Sequence, residues 1–474
     1  MTSRMQAVSL RRREWAILLC CSCLSIVVHG LFVIDGFGEP DAIRLVLQGL
    51  DWHETGQNRL VTYTSRTSPI YLGFLKLVLD YGYPFQQLGK LMNWGNVIVG
   101  GLTLIPLYMF WRLIVGVRSA ATGTLLYSFA PTFWLANIYG MPHLPSFTCF
   151  VLSLLLFTIG SSRRDKLGIK CFLGAVLLAI LSVGLKADII LCFGAFAGVM
   201  IYRERFTGRN VLWVLMIVFV PLIVTLFHAR LISQAVPSVG EWSERFPFTL
   251  KAIQNKSNLM VLCKSSGKFF SLGIAFSLAY YLFRAKQRRF IFLVMLWAMP
   301  PILFWGLKEG NSARHMMAGY CVLLYLLSFA LVDVFKTRRS LFLAVGVLIT
   351  LNYFSDEVTQ STVSPSSRIF ASVREMNRGI DDLEEKSREL EALPYERKVI
   401  VGTWSNPYII WGALARSHSF DSMPGSRPDY SIETRSGQRQ RIKTHYVNDI
   451  STSVGPETGW HLWAFERGIT VVNE

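Results

Sequence analysis

The feature that most limits this chain is a succession of apolar stretches, each about long enough to cross a bilayer and separated by polar gaps. A helical span needs roughly 20 mainly apolar residues. About eleven stretches approach that length: 15–34, 93–115, 118–137, 144–160, 171–185, 188–202, 211–228, 267–283, 290–306, 316–335 and 341–355. Two of them, 171–185 and 341–355, are short, and the pair flanking Lys186 also reads as one broken hairpin. Apolar residues make up 52% of the 474 and charged residues only 17%. The chain is therefore predicted to be an α-helical polytopic membrane protein.

The basic residues give this layout a direction. Orientation follows Lys and Arg in short loops near the spans, not net charge. With the N-terminus inside, the inner segments carry Arg4, Arg11, Arg12 and Arg13; Arg112 and Arg118; Arg163, Arg164, Lys166 and Lys170; Arg203, Arg205 and Arg209; Arg284, Lys286, Arg288 and Arg289; and Lys336, Arg338 and Arg339. The outer turn 138–143 carries no acidic or basic charge besides His143. The net charge of +17 is thus largely topological, and nucleic acid is not an expected partner. The first stretch is longer than a signal-peptide core and no small-x-small cleavage site follows it, so it reads as a span. Seven of the eight cysteines lie in apolar stretches and Cys263 stands in an outer loop, which implies packing rather than a disulfide framework or metal spacing.

Three pieces of outer material remain. Residues 35–92 form a long first loop, residues 229–266 a second, and residues 356–474 a polar tail of domain size, which the span count places outside. In the tail, Ile369, Val373, Met376, Ile380 and Leu383 recur at helical spacing, while Val399–Val401 and His461–Phe465 read as strands. A small α/β extracytoplasmic domain is expected there, following a transmembrane domain over 1–355.

The first loop carries the sharpest chemical signal. Glu39-Pro40-Asp41 follows the first span directly, and carboxylates at a membrane face cost solvation energy unless they are solvated, paired or used. Pro40 suits a first helical turn, because its missing N–H would be unbonded there. The positive end of that helix favours ionised Glu39 and Asp41. A second short helix begins at Ser68-Pro69-Ile70-Tyr71.

With these residues the chain resembles the GT-C superfamily of integral membrane glycosyltransferases, in its protein mannosyltransferase and aminoarabinose transferase branch. Glu39-Pro40-Asp41 matches that family's acidic first-loop motif, and Ser68-Pro69-Ile70-Tyr71 its proline-led helix. Gly184-Leu185-Lys186-Ala187-Asp188 keeps the lysine of a Lys-Gly-Pro motif without the Gly-Pro. Arg314-His315 stands where many members have Arg-Tyr. The resemblance implies a donor sugar on polyprenyl phosphate and a hydroxyl acceptor in an envelope glycan, lipid or protein. It implies Asp41 as base with Glu39 beside it, and Arg314, Lys186, His315 and Lys308 around the donor phosphate. No obligatory cofactor is expected, although Glu39 and Asp41 with the phosphate could hold magnesium or manganese. The expected location is the plasma membrane, with a cytoplasmic N-terminus and an extracytoplasmic tail.

The chemistry explains why those residue types are wanted. A hydroxyl becomes an effective nucleophile when a base takes its proton during attack. The departing phosphate gains charge, and cations at the headgroup level stabilise it. Other readings are a transporter or flippase of lipid-linked glycans, an acyltransferase using His315 or His143, and an inactive scaffold. Transporters place ionisable groups near the bilayer midplane, whereas here polar residues gather at one face. His29 and His143 read as satisfied polar residues, and Asp51, His53 and Glu54 as loop surface.

Overall fold

The computed structural model describes residues 12–33, 40–56, 68–84, 87–138, 140–235, 267–283, 287–306 and 313–358, and four short strands beyond them. Helices dominate: α1 (Arg12–Gly30), α2 (Pro40–Thr55), α3 (Pro69–Asp80), α4 (Leu88–Val115), α5 (Val117–Ser128), α6 (Pro131–Ile138), α7 (His143–Gly160) and α8 (Lys166–Leu185). A 3-10 turn over Ala187–Cys192 leads to α9 (Gly194–Arg203) and α10 (Gly208–Ala235). Then come α11 (Lys268–Leu282), α12 (Arg288–Gly306), a 3-10 turn over Ala313–Met316, α13 (Met317–Val334) and α14 (Arg338–Val358). Among the described residues five helices are long and apolar enough to cross a membrane: α4, α7, α8, α12 and α13.

The helices show lipid-facing stripes at helical spacing. Ile169, Leu173 and Leu177 on α8, Leu212, Leu215, Phe219 and Ile223 on α10, and Leu343, Val347 and Leu351 on α14 are all exposed. Repeats of three and four residues keep such side chains on one face, and apolar faces of this length belong in hydrocarbon. The opposite faces build a common core. Its centre is a stack in which Trp111 lies between Trp297 (ring centroids 5.6 Å, planes 9° apart) and Tyr325 (4.6 Å, 16°), joining α4, α12 and α13. Tyr325 keeps its hydroxyl satisfied against Thr124 Oγ1 of α5 at 2.7 Å.

Two expected spans are built differently. The stretch 118–137 is broken into α5 and α6 at Phe129-Ala130. Pro131 supplies no N–H and disfavours helical backbone at the residue before it, so Pro131 opens a new helix instead. The stretch 188–202 starts as the 3-10 turn and becomes α9, a broken arrangement around Lys186. Conversely, the short stretch 171–185 gains length at its front, where Asp165 caps α8 by accepting from the Gly168 N–H at 3.1 Å.

One end of the bundle is tied by cations. Arg203 donates to Leu113 O (3.1 Å), Thr158 O (3.2 Å) and Ser162 Oγ (2.9 Å), which fixes the ends of α4, α7 and α9 together. Arg112 pairs with Glu14 at 3.2 Å and brings the start of α1 to the same end. Halfway along, α1 and α4 meet through a glycine: a Cβ on Gly101 would collide with Ile26 and stand 2.9 Å from Ser22 O. Gly101→Leu is therefore expected to cost about 1–3 kcal/mol by overpacking. Gly95→Leu, on the same helix but with open space around it, is expected to be neutral. Thermal midpoints of the two variants in one detergent check this.

Beyond the bundle, β1 (Lys398–Val401) pairs in parallel with β4 (Ile469–Val472), and β2 (Ser431–Glu433) pairs antiparallel with β3 (Arg439–Arg441). The strand expected at 399–401 is thus present as β1. The expected tail helix from Ile369 to Leu383 and the strand at His461–Phe465 lie outside the described residues.

Candidate active site

The end of the bundle opposite the Arg203 ties is polar, and the path of the chain explains why. Helix α8 ends at Leu185, and Lys186 leaves it in extended conformation (φ −157°, ψ 110°), its N–H still bonded to Ser182 O. Ser146 of α7 sets its Oγ 2.8 Å from Ser182 O and 3.4 Å from Lys186 O, so its one hydroxyl hydrogen is directed at the carbonyls of the break. This break holds Lys186 inside the protein at 3% exposure. Asp188, in the first turn of the following 3-10 segment, places Oδ2 at 3.9 Å from Lys186 Nζ. An ammonium so buried is costly unless a charge or strong acceptors face it.

Two histidines complete the cluster. His315, in the 3-10 turn before α13, stacks on Trp305 near the end of α12 (centroids 4.2 Å, planes 25° apart). Its Nδ1 lies 3.0 Å from Asp188 Oδ2 and 3.2 Å from Nε2 of His143, the first residue of α7. His143, Lys186, Asp188 and His315 line one cavity of about 20 Å³, walled on its apolar side by Ile189 and Pro301. Such a site offers one fixed ammonium, two imidazoles and one carboxylate in a volume that suits a single oxygen ligand.

Two surface helices cover this end. Gly49 of α2 lies against Leu75 of α3 (a Cβ would stand 3.1 Å from Leu75 Cβ), and His53 bonds Asp80, so α2 and α3 run in the same direction. At the leading end of α3, Ile70 presses on Gly184 where a side chain would collide, two residues before Lys186. Tyr71 donates to Gly140 O at 3.2 Å, anchoring α3 to the turn before α7. Asp41 occupies the first turn of α2, so its backbone stands at the same leading end as Ile70.

The far ends of α2 and α3 are joined by Asp80, which accepts from His53 Nδ1 (2.7 Å) and from Lys76 Nζ (2.5 Å). The His53 hydrogen bond, then the Lys76 one, hold the Asp80 carboxyl below its ordinary range. A depressed carboxylate contributes its stabilisation above its unfolded value and loses it as pH falls through the lower folded value. His53→Ala is thus expected to move the Asp80 titration upward, followed by carbon NMR of labelled aspartate.

Of the residues singled out by sequence, Lys186 and His315 come together. Arg314 stands in the same 3-10 turn as His315, while Glu39 and Lys308 lie outside the described residues. His143, read from sequence as a satisfied polar residue, and Asp188, two positions after Lys186, are both members of the cluster. The available signal was positional: each sits at or near a helix boundary, as Lys186 and His315 do. His29 is buried and only partly satisfied: its Nδ1 faces Ser25 Oγ (3.0 Å) and Asn137 Nδ2 (3.2 Å), while its Nε2 has no hydrogen-bond partner among the described residues.

No protein-family model and no curated relative matches the chain. Solved structures do. ArnT from Cupriavidus metallidurans bound to undecaprenyl phosphate superposes with TM-score 0.54 at 12% identity, covering 85% of each chain. The apo form of the same protein gives 0.52 at 12% identity over 84% of each chain. The Archaeoglobus fulgidus oligosaccharyltransferase, tethered to an acceptor peptide containing an NVT sequon, gives 0.50 at 12% identity, over 85% of this chain and 64% of its own. At such identity the likeness is one of architecture. The chain shares the fold of ArnT and of this oligosaccharyltransferase.

Proposed function

We propose that this protein is an inverting glycosyltransferase that moves a sugar from a polyprenyl-phosphate donor to a hydroxyl acceptor at the outer membrane face. The observation that carries the reading is the buried Lys186, held with Asp188 and His315 at the bundle end that the two first-loop helices cover. A buried ammonium lining a small cavity is suited to the phosphate of a lipid carrier, and the similar ArnT was solved with undecaprenyl phosphate. In this reading eleven spans over 1–355 form the catalytic domain, the Arg203 end is cytoplasmic, and 356–474 form a small extracytoplasmic α/β domain.

The reaction follows from the charges. The acceptor oxygen attacks the anomeric carbon from the face opposite the phosphate, and its proton passes to Asp41. The anomeric C–O bond breaks, and its electron pair stays on the phosphate oxygen. Lys186 and Arg314 receive that charge, with His315 and Lys308 near it. Arginine binds phosphate oxygens in a two-pronged fashion, whereas lysine acts as a point charge.

The test uses the full chain reconstituted in membranes and offered a panel of polyprenyl-phosphate sugars with envelope extract. Loss of donor together with gain of a glycosylated product is expected. Absence of transfer across a broad panel, with movement of intact lipid-linked glycan between leaflets, would replace this reading by a flippase.

A further inference from the structure

The contact geometry beside Lys186 holds more than a phosphate cradle requires. His315 Nδ1 faces Asp188 Oδ2 at 3.0 Å and His143 Nε2 at 3.2 Å. An imidazole nitrogen carries at most one hydrogen, directed along the ring bisector, so it serves one of two such neighbours well and not both. Three lone-pair-bearing atoms that converge in this way are what a cation asks for. These three ligand atoms all lie within 4.8 Å of one another.

We infer that His143, Asp188 and His315 form a binding site for one divalent transition-metal ion of the zinc class, with a fourth position open to the cavity. Zinc binds imidazole nitrogen and carboxylate oxygen at about 2.0–2.2 Å, so ligand atoms around a tetrahedral ion stand roughly 3.3–3.5 Å apart. Two of the three edges, 3.0 and 3.2 Å, need to open by only a few tenths of an ångström, and the third, between Asp188 and His143, lies within 4.8 Å. Two imidazoles and one carboxylate favour zinc, cobalt or similar ions over magnesium and calcium, which prefer all-oxygen shells.

The surroundings have the features of a site that keeps a position open. The adjoining cavity of about 20 Å³ has room for roughly one water-sized ligand. Trp305 stacks on His315 and restrains its ring. Lys186 Nζ, 3.9 Å from Asp188 Oδ2, adds a second positive charge on the same cavity, so an anionic oxygen is the preferred fourth ligand. In the proposed reaction that oxygen would be the donor phosphate's, a detail that rests on the glycosyltransferase reading; metal binding itself does not. The ligands come from α7, the turn after α8 and the turn before α13. One ion therefore cross-links three segments far apart in sequence. The proposed ligand set does not draw on Glu39 or Asp41.

Metal content, not transfer, tests this. The full chain, purified without a histidine tag and stripped with chelator, is dialysed against micromolar zinc and weighed for metal, then titrated with cobalt. One equivalent is expected, with the intense visible bands of four-coordinate cobalt. Asp188→Asn and His315→Asn should weaken binding by at least about 10-fold. His315→Cys retains a ligand and should show a thiolate-to-cobalt charge-transfer band in the near ultraviolet, a signature that a folding defect does not produce. No stoichiometric metal in the wild type, equal metal in wild type and Asn variants, or no thiolate band in a metal-loaded His315→Cys chain would each overturn the site. Transfer with no metal would sink this inference and leave the proposed reaction standing.

Discussion

Asp41→Asn is expected to lower sugar transfer by about 10²–10⁴-fold, the usual contribution of a positioned general base, while donor binding stays close to wild type. Asparagine keeps the shape of the side chain and removes only its capacity to accept a proton. Asp41 opens α2, which runs in the direction of α3. The leading end of α3 rests on Gly184, beside the turn that carries Lys186. Asp41 and Lys186 are therefore presented toward one end of the bundle by separate elements. Initial rates with saturating donor, and donor affinity measured apart from turnover, decide the matter. Equal rates in the two chains would remove Asp41 as the base.

The second large effect is expected at Lys186. Lys186→Met keeps most of the buried volume and deletes the charge, and should reduce kcat by about 10²–10³-fold, in line with removal of one fixed donor to a developing anion. Lys186→Arg should not restore the rate. The lysine is 3% exposed between Ser146, Asp188 and Ile189, and a planar guanidinium needs more room than an ammonium. A rise in KM with unchanged kcat would show that the lysine binds ground state and transition state alike, and would end its role as the cation for the leaving group.

Much of this fold was legible because bilayer physics is written in long apolar stretches. Residues 93–115, 144–160 and 316–335 appear as α4, α7 and α13 with ends shifted by a few positions. Local chemistry at helix ends was harder to see. The break at Ala130-Pro131 depends on one proline inside an apolar stretch, and prolines also sit within intact helices here, at Pro106 and at Pro300-Pro301. A proline in an apolar stretch therefore does not by itself tell a break from a continuous helix. The site divides in the same way. Lys186 stands out as a charge between two apolar stretches, whereas the value of Asp188 depends on His315, 127 positions away. No periodicity in the chain announces such a meeting. A single histidine at a turn reads as a satisfied polar residue, and the neighbour that gives His143 its place in the cluster, His315, lies 172 positions away.

The stack of Trp111 between Trp297 and Tyr325 has an optical consequence. Two indoles with centroids 5.6 Å apart and planes within 9° of each other couple their electronic transitions and share an excited state. Buried at the junction of α4, α12 and α13, they give the protein a built-in chromophore pair whose circular dichroism in the ultraviolet depends on the register of those helices. A change in register at the middle of the bundle becomes a change in the colour of absorbed light, legible in the unlabelled protein within its own membrane.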